Sequence, residues 1–253
     1  MRVLLLGGTA EASRLASLLA GQSGIAAIMS YAGRTKTPRV PEIPYRIGGF
    51  GGIDGLAAYL ETERMDVLVD ATHPFAEQMS RHAALAAARV KIPLVVLSRQ
   101  AWHQDAADRW IGVEDMAGAA AALGDEAKRV FLTIGRLQIE AFAAAPQHFY
   151  LIRAIEPLMS SPALPHYRVI LGRGPFTLAA EESLLREESI DVIVTKNSGG
   201  EATFAKIRAA RLLGLPVVMV ARPRQASAQV LHDPAEVLDC LLHHQRTLVP
   251  RAV

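Results

Sequence analysis

Apolar residues follow two rhythms along this chain. Unbroken runs at 3–6, 24–30, 65–70 and 93–98, and again at 129–134, 149–153, 167–171, 191–195 and 216–220, have the length and continuity of strands covered on both faces. Between several of them, at 10–20, at 53–63 and in an alanine-rich stretch ending near 89, apolar residues recur at helical spacing. Strand, turn and helix in alternation predict an α/β architecture with parallel sheets. The rhythm breaks at Arg99-Gln100-Ala101-Trp102-His103-Gln104 and then resumes. Two tandem domains are expected, an N-terminal one over 1–98 and a C-terminal one over 99–253, with a shared cleft as the default ligand site. The Pro- and Gly-rich residues 37–52 read as a loop.

The polar residues that matter chemically fall where the runs end. In Leu6-Gly7-Gly8-Thr9-Ala10, a strand passes through a turn without side-chain bulk into a helix, a design that lets backbone N–H groups approach a phosphate. The dinucleotide fingerprint asks for glycine at three positions held here by Gly7, Thr9 and Ala12, so a plain strand-to-helix connection stays open beside a pyrophosphate turn. The second run ends in Ser30 and is followed by Arg34, Thr35 and Lys36 without a carboxylate. If the first turn binds a dinucleotide, cations and hydroxyls at this tip favour a ribose 2′-phosphate, hence NADP(H) over NAD(H); the alternative is a solvated basic loop. After the third run comes Asp70-Ala71-Thr72-His73-Pro74-Phe75-Ala76. Thr72 can cap the following helix and Pro74 suits its first turn, whereas His73 sits where open α/β sheets place ligands and is read as a cofactor or substrate contact.

In the second half, Thr133-Ile134-Gly135-Arg136, Gly172-Arg173-Gly174-Pro175-Phe176 and Thr195-Lys196-Asn197-Ser198-Gly199-Gly200 each join small residues to a cation. At one end of one sheet they would form a mouth for an anion, with forked donors from Arg136 and Arg173 and a point charge from Lys196. Arg153 and Glu156 are expected to pair with each other. Lys plus Arg number 27 against 25 Asp plus Glu, a net +2, so nucleic acid is not an expected partner. A single Cys240 excludes an intrachain disulfide and a cysteine zinc site, and scattered histidines suggest no metal centre. With no signal-peptide pattern and no apolar run of membrane-spanning length, a cytoplasmic location is expected. Gly-x-Ser-x-Gly, His-Glu-x-x-His and the Tyr-x-x-x-Lys pair of short-chain dehydrogenases are all absent.

Taken together, the opening Leu-Gly-Gly-Thr-Ala-Glu-Ala, Asp70–Ala76, Thr133–Arg136, Arg173–Phe176 and Thr195–Gly200, continuing through Thr203-Phe204-Ala205-Lys206 to Gly214-Leu215-Pro216-Val217-Val218, make the chain resemble the precorrin-6A reductase family of cobalamin synthesis. The resemblance implies two Rossmann-like domains with NADPH and a tetrapyrrole in the cleft. It also implies hydride transfer to the C18=C19 double bond of precorrin-6A, giving precorrin-6B. On that basis Gly7, Gly8, Thr9, Ser30, Arg34, Thr35, Lys36, Thr72 and His73 are the expected cofactor contacts. Phe75, Gly135, Arg136, Arg173, Phe176, Lys196, Asn197 and Ser198 are the expected substrate contacts, the rings as apolar walls and the cations for the macrocycle's carboxylates. His73 or Lys196 would supply or relay the proton that accompanies the hydride, unless solvent or the substrate does so. Product hand-over to other cobalamin-pathway enzymes is a further expectation. A non-catalytic tetrapyrrole- or nucleotide-binding module and an adenosine-cofactor transferase remain alternatives.

Overall fold

A computed structural model describes residues 1–33, 40–223 and 229–248. The chain divides into two compact units, one formed by Met1–Gln100 with Pro223–Val253 and the other by Ala101–Arg222. Each is a parallel six-stranded sheet with helices between its strands.

In the first unit, β1 (Arg2–Leu6) is central, flanked by β2 (Ala26–Tyr31) and then β3 (Tyr45–Ile47) on one side. On the other side lie β4 (Val67–Asp70), β5 (Leu94–Leu97) and the C-terminal β12 (Gln229–Leu231). The strand β1 shows why a continuous apolar run was needed. Val3 and Leu5 pack with Leu15, Leu19, Val237 and Leu241, which come from α1 (Ala10–Ala20) and α7 (Pro234–Leu248). Leu4 and Leu6 point the other way, onto Leu56, Leu60, Ala83 and Ala86 of α2 (Gly52–Thr62) and α3 (Glu77–Val90). A strand covered by helices on both faces has no position for a polar residue until it ends. Helix α1 buries Ala12, Leu15, Ala16 and Leu19, one stripe at helical spacing.

The second unit repeats this order. Its central β7 (Arg129–Thr133) is followed outward by β8 (Phe149–Ala154) and β9 (Tyr167–Leu171), and on the opposite side by β10 (Val192–Lys196), β11 (Pro216–Val220) and β6 (Arg109–Val113). Phe131, Leu151, Ile193 and Met219 form a core with Leu185 of α5 (Leu178–Glu187) and Ile207 and Ala210 of α6 (Ala205–Leu213). A short α4 (Met116–Ala121) and a 3-10 segment, Arg136–Ala144, complete the unit.

Three strands depart from the sequence expectation. β3, β6 and β12 arise where loops or no element were expected, and each is the edge of its sheet or next beyond the regular strands. Tyr45 and Ile47 of β3 are exposed, so no apolar run marks it. The strand β12 also corrects the expected second domain over 99–253: it pairs with β5 through Gln229↔Val95 and Leu231↔Leu97, and the C-terminal segment thereby completes the first sheet. The loop expected over 37–52 contains β3 and ends in the first residue of α2.

Candidate functional site

In a doubly wound sheet the crevice opens beyond the carboxyl ends of the strands where the winding reverses. In the first unit that point lies between β1 and β4, and Gly7-Gly8-Thr9 and Asp70-Ala71-Thr72-His73 are the two segments that leave it. The Thr9 hydroxyl donates to Ala71 O at 2.9 Å and accepts from Ala12 N at 3.1 Å, so one side chain caps α1 and ties both turns together. The backbone of Gly8 has φ +124 and a side chain there would meet no atom within 4 Å, which leaves the mouth of the turn open. The first N–H groups of α1 have no acceptor within the helix. An open turn, a capped helix start and backbone donors fit a diphosphate. Beside them Glu11 pairs with Arg99 at 3.6 Å; burial lowers the Arg99 pKa from its ordinary value, and Glu11 acts in the opposite direction.

Ser30 is brought directly next to this turn, because Gly7 N–H donates to Ser30 O at 2.9 Å. It is buried, and its hydroxyl accepts from Arg46 Nη1 at 2.8 Å. Arg34, Thr35 and Lys36 lie outside the described residues. Thr72 does not cap α3, which starts later, at Glu77. Its N–H and hydroxyl instead donate to Asp70 Oδ1 at 3.0 and 2.7 Å, because the buried Asp70 carboxylate lies two residues away and shapes the turn. Pro74 correspondingly belongs to that turn and not to the helix. His73 Nδ1 accepts from Phe75 N at 3.2 Å. In the neutral ring that bond assigns the proton to Nε2, which makes Nε2 a donor. The Phe75 ring is 6.0 Å from that of His73.

In the second unit the reversal lies between β7 and β10, and all three expected turns sit at carboxyl ends of its strands. Gly135, at φ +85, opens the 3-10 segment and Arg136 is its first residue. The expected Arg153–Glu156 pair is replaced by two others. Arg136 Nη1 is 3.8 Å from Glu156 Oε2, and Arg153 Nη1 donates to the buried Glu181 Oε1 at 2.7 Å, because α5 brings Glu181 under β8. The Arg153 guanidinium also lies 4.0 Å from the centre of the Phe176 ring, which fixes one face of that ring. Arg173 is exposed.

The turn after β10 is held from two directions. Asn197 Oδ1 accepts from Trp102 N at 2.7 Å and its Nδ2 donates to Trp102 O at 3.0 Å. Arg222 donates to Asn197 O at 2.8 Å and to Ser198 O at 3.0 Å. The Asn197 amide thus works on the backbone of Trp102, and half-buried Lys196 sits on a braced turn. Phe176 N donates to Ala202 O at 3.2 Å, and a Cβ on Gly174 would lie 2.8 Å from the same oxygen. Glycine at 174 therefore permits the Arg173 and Lys196 turns to approach each other closely. Arg46, Asp70, Glu181 and Arg222 were not singled out from the sequence, since only their partners in space give them a role. Among the described residues no cluster of His, Cys, Asp or Glu could hold a metal ion, and no helix is long and apolar enough to cross a membrane.

Residues 2–242 match the family model described as precorrin-6x reductase CbiJ/CobK. The chain belongs to this family. Relatives include the precorrin-6A reductase of Rhodococcus erythropolis, 52% identical over 88% of this chain and 89% of its own, and that of Rhodobacter capsulatus, 46% identical over 100% and 99%. A solved structure titled CobK precorrin-6A reductase matches with TM-score 0.92 at 46% identity, covering 100% of both chains. As a member, the chain is an oxidoreductase of cobalamin biosynthesis that acts on a carbon–carbon double bond.

Proposed function

We propose that this chain reduces the C18=C19 double bond of metal-free precorrin-6A to give precorrin-6B, with NADPH as reductant. The observation that carries the cofactor assignment is the Thr9-capped, open Gly7–Gly8 turn at the winding reversal of the first sheet. When bound, NADPH supplies the hydride. The chain's own residues then have separable tasks. Gly7, Gly8, Thr9 and the start of α1 hold the diphosphate, with Thr72 and His73 on the neighbouring strand end. In the second unit Arg136, Arg173 and Lys196 are suited to orient the macrocycle's carboxylates and Phe176 to give an apolar wall; in the first unit Phe75 is the corresponding apolar group. Asn197, Ser198 and Gly135 shape the turns that present these groups.

Reduction also adds one proton at the carbon next to the hydride acceptor. His73, a donor through Nε2, and Lys196 are the two groups proposed to supply or relay it. A cytoplasmic setting and hand-over of product to other pathway enzymes complete the proposal. The test is NADPH oxidation followed together with the ring's absorption change, using precorrin-6A and its cobalt form in parallel. Turnover of the metal-free form is expected. No oxidation with either form would remove the reductase reading and leave a binding module or a transferase; turnover of the cobalt form alone would reassign the substrate.

A further inference from the structure

We propose that Arg46, on the third strand of the first sheet, is the residue that grips the 2′-phosphate of NADPH and so sets the preference for NADPH over NADH. The inference rests on the cofactor reading above and adds to it a specific side chain.

Three observations converge on Arg46. The first is its place. Leu6, Ser30 and Arg46 are successive register partners across β1, β2 and β3, so the Gly7–Gly8 turn, Ser30 and Arg46 form one row along the carboxyl edge. Two strand spacings separate the ends of the row, about 10 Å. An adenosine ribose lying across Ser30, with its 5′ side at the glycine turn, has its 2′ side toward Arg46.

The second observation is the use of its donors. Nη1 donates to Ser30 Oγ at 2.8 Å and to Gly48 O at 3.0 Å, and Nη2 donates to Gly49 O at 3.1 Å. These account for three of the five N–H groups of a guanidinium. Among the described residues no acceptor meets the two that remain, Nε–H and one Nη2–H, which belong to the edge that makes a bidentate fork. Arg211 uses this same edge on Asp108, with Nε–Oδ1 at 2.8 Å and Nη2–Oδ2 at 3.0 Å. The Arg46 side chain is further fixed by the Phe50 ring, 4.1 Å from the guanidinium carbon. The fork is therefore held in place before any ligand arrives, and little side-chain entropy is left to lose.

The third observation is charge. The partners of Arg46 are a hydroxyl and two carbonyls, all neutral, and among the described residues no carboxylate forms an ion pair with it. Arg2, Arg89, Arg129 and Arg153 all have carboxylate partners. A part-buried cation with no counter-ion among the described residues, offering a parallel pair of donors, suits a dianionic phosphate. A purely structural role is the competing account: Arg46 would pin the Gly48–Gly49 backbone and nothing more. The two differ in what removing it does to adenosine ligands with and without the 2′-phosphate.

The experiment measures, by calorimetry on the full chain, binding of 2′,5′-ADP and 5′-AMP, and of NADPH and NADH, to the wild type and to Arg46→Ala, Arg46→Lys and Arg34→Ala. Arg46→Ala is expected to weaken 2′,5′-ADP about 10- to 100-fold, as loss of charge-assisted bonds does, and 5′-AMP less than about twofold. The NADPH-to-NADH affinity ratio should fall by the same factor. Arg46→Lys keeps the charge and loses the fork; it is expected to weaken 2′,5′-ADP several-fold, and it carries the test if the alanine variant does not fold. Parallel loss of both adenosine ligands, or a wild-type ratio retained in the Arg46 variants while Arg34→Ala erases it, overturns the assignment. A wild type that binds NADPH and NADH equally well overturns both the assignment and the cofactor reading, whereas a wild type that prefers NADPH in binding yet fails to oxidise it with either tetrapyrrole form counts against the substrate reading alone.

Discussion

Truncating Glu181 to alanine tests how the second unit holds one wall of its candidate substrate surface. Glu181 is 1% exposed and its Oε1 accepts from Arg153 at 2.7 Å, with the Arg153 side chain 11% exposed. Removing one partner of a buried pair leaves the other charge in a low dielectric, a loss of about 3–5 kcal/mol. Two features pull the expected value toward the lower end. Among the described residues Glu181 Oε2 meets no hydrogen-bond partner, so the wild type already carries part of a desolvation cost. The guanidinium also keeps the Phe176 and Phe131 rings, whose centres are 4.0 and 4.7 Å away, as partial compensation through cation–π attraction. The expectation for Glu181→Ala is therefore about 3 kcal/mol. Glu181→Gln, which preserves shape and one acceptor, should lose less than half of that. Removing both charges, in Arg153→Met with Glu181→Leu, should recover most of it, because no isolated ion remains. The assay is urea unfolding of each single and double variant, read by the fluorescence of Trp102 and Trp110, which both lie in the second unit and report on its surroundings. A Glu181→Ala loss below about 1 kcal/mol, or a double variant as unstable as the sum of the singles, would refute the buried-pair argument. If the pair also fixes the Phe176 ring, Glu181→Gln should raise KM for precorrin-6A more than it lowers kcat.

Other consequences are as specific. Thr9→Val keeps the shape but removes the cap of α1 and the bond to Ala71 O, so it should destabilise the first unit by about 1–2 kcal/mol and weaken NADPH binding; unchanged thermal unfolding would deny Thr9 its bridging role. His73→Ala and Lys196→Ala, separately and together, should be followed by single-turnover reduction at saturating ligands: a rate loss in one variant accompanied by a changed pH dependence identifies the proton donor, a rate loss with the wild-type pH profile assigns that residue to positioning, and an unaltered double variant assigns the proton to solvent or substrate. His148 is fully buried, and burial, then the nearby Lys128 charge, lowers its pKa below 6.5. The unfolded chain therefore takes up this proton first as pH falls, so His148 causes no loss above about pH 6.5 and a growing loss below it. His148→Asn, which retains an acceptor for Lys128 N, should flatten stability between pH 6.5 and the lowered native value; an identical pH slope in the variant would exclude His148 as its source.

Much of this was legible in one dimension. Runs such as Leu4-Leu5-Leu6 and Ile193-Val194 are apolar because helices cover both faces of a central parallel strand, and that requirement is written residue by residue. Small residues and cations directly after such runs mark the carboxyl edge, so Gly7, Thr9, His73, Arg136 and Lys196 could be named without coordinates. The joint spacing of these turns also carried the family resemblance, which the match over residues 2–242 bears out.

Tertiary structure decided what depends on distance in space. The strand β12 has no distinctive composition and exists because β5 offers an unpaired edge; β3 likewise takes its register from β2. Whether Arg153 meets Glu156 or Glu181 is settled by where α5 places Glu181, since a charge finds the nearest desolvated partner and not the nearest in sequence. Arg46 belongs to the same class. In the sequence it is one cation inside a short, exposed strand, and only the pairing of β2 with β3 sets it against Ser30 in line with the glycine turn. Local patterning fixes which segments are buried and where chains turn, because each residue's burial is a local property; pairing of edges and charges is not local, and it is there that the fold adds what the sequence alone leaves open.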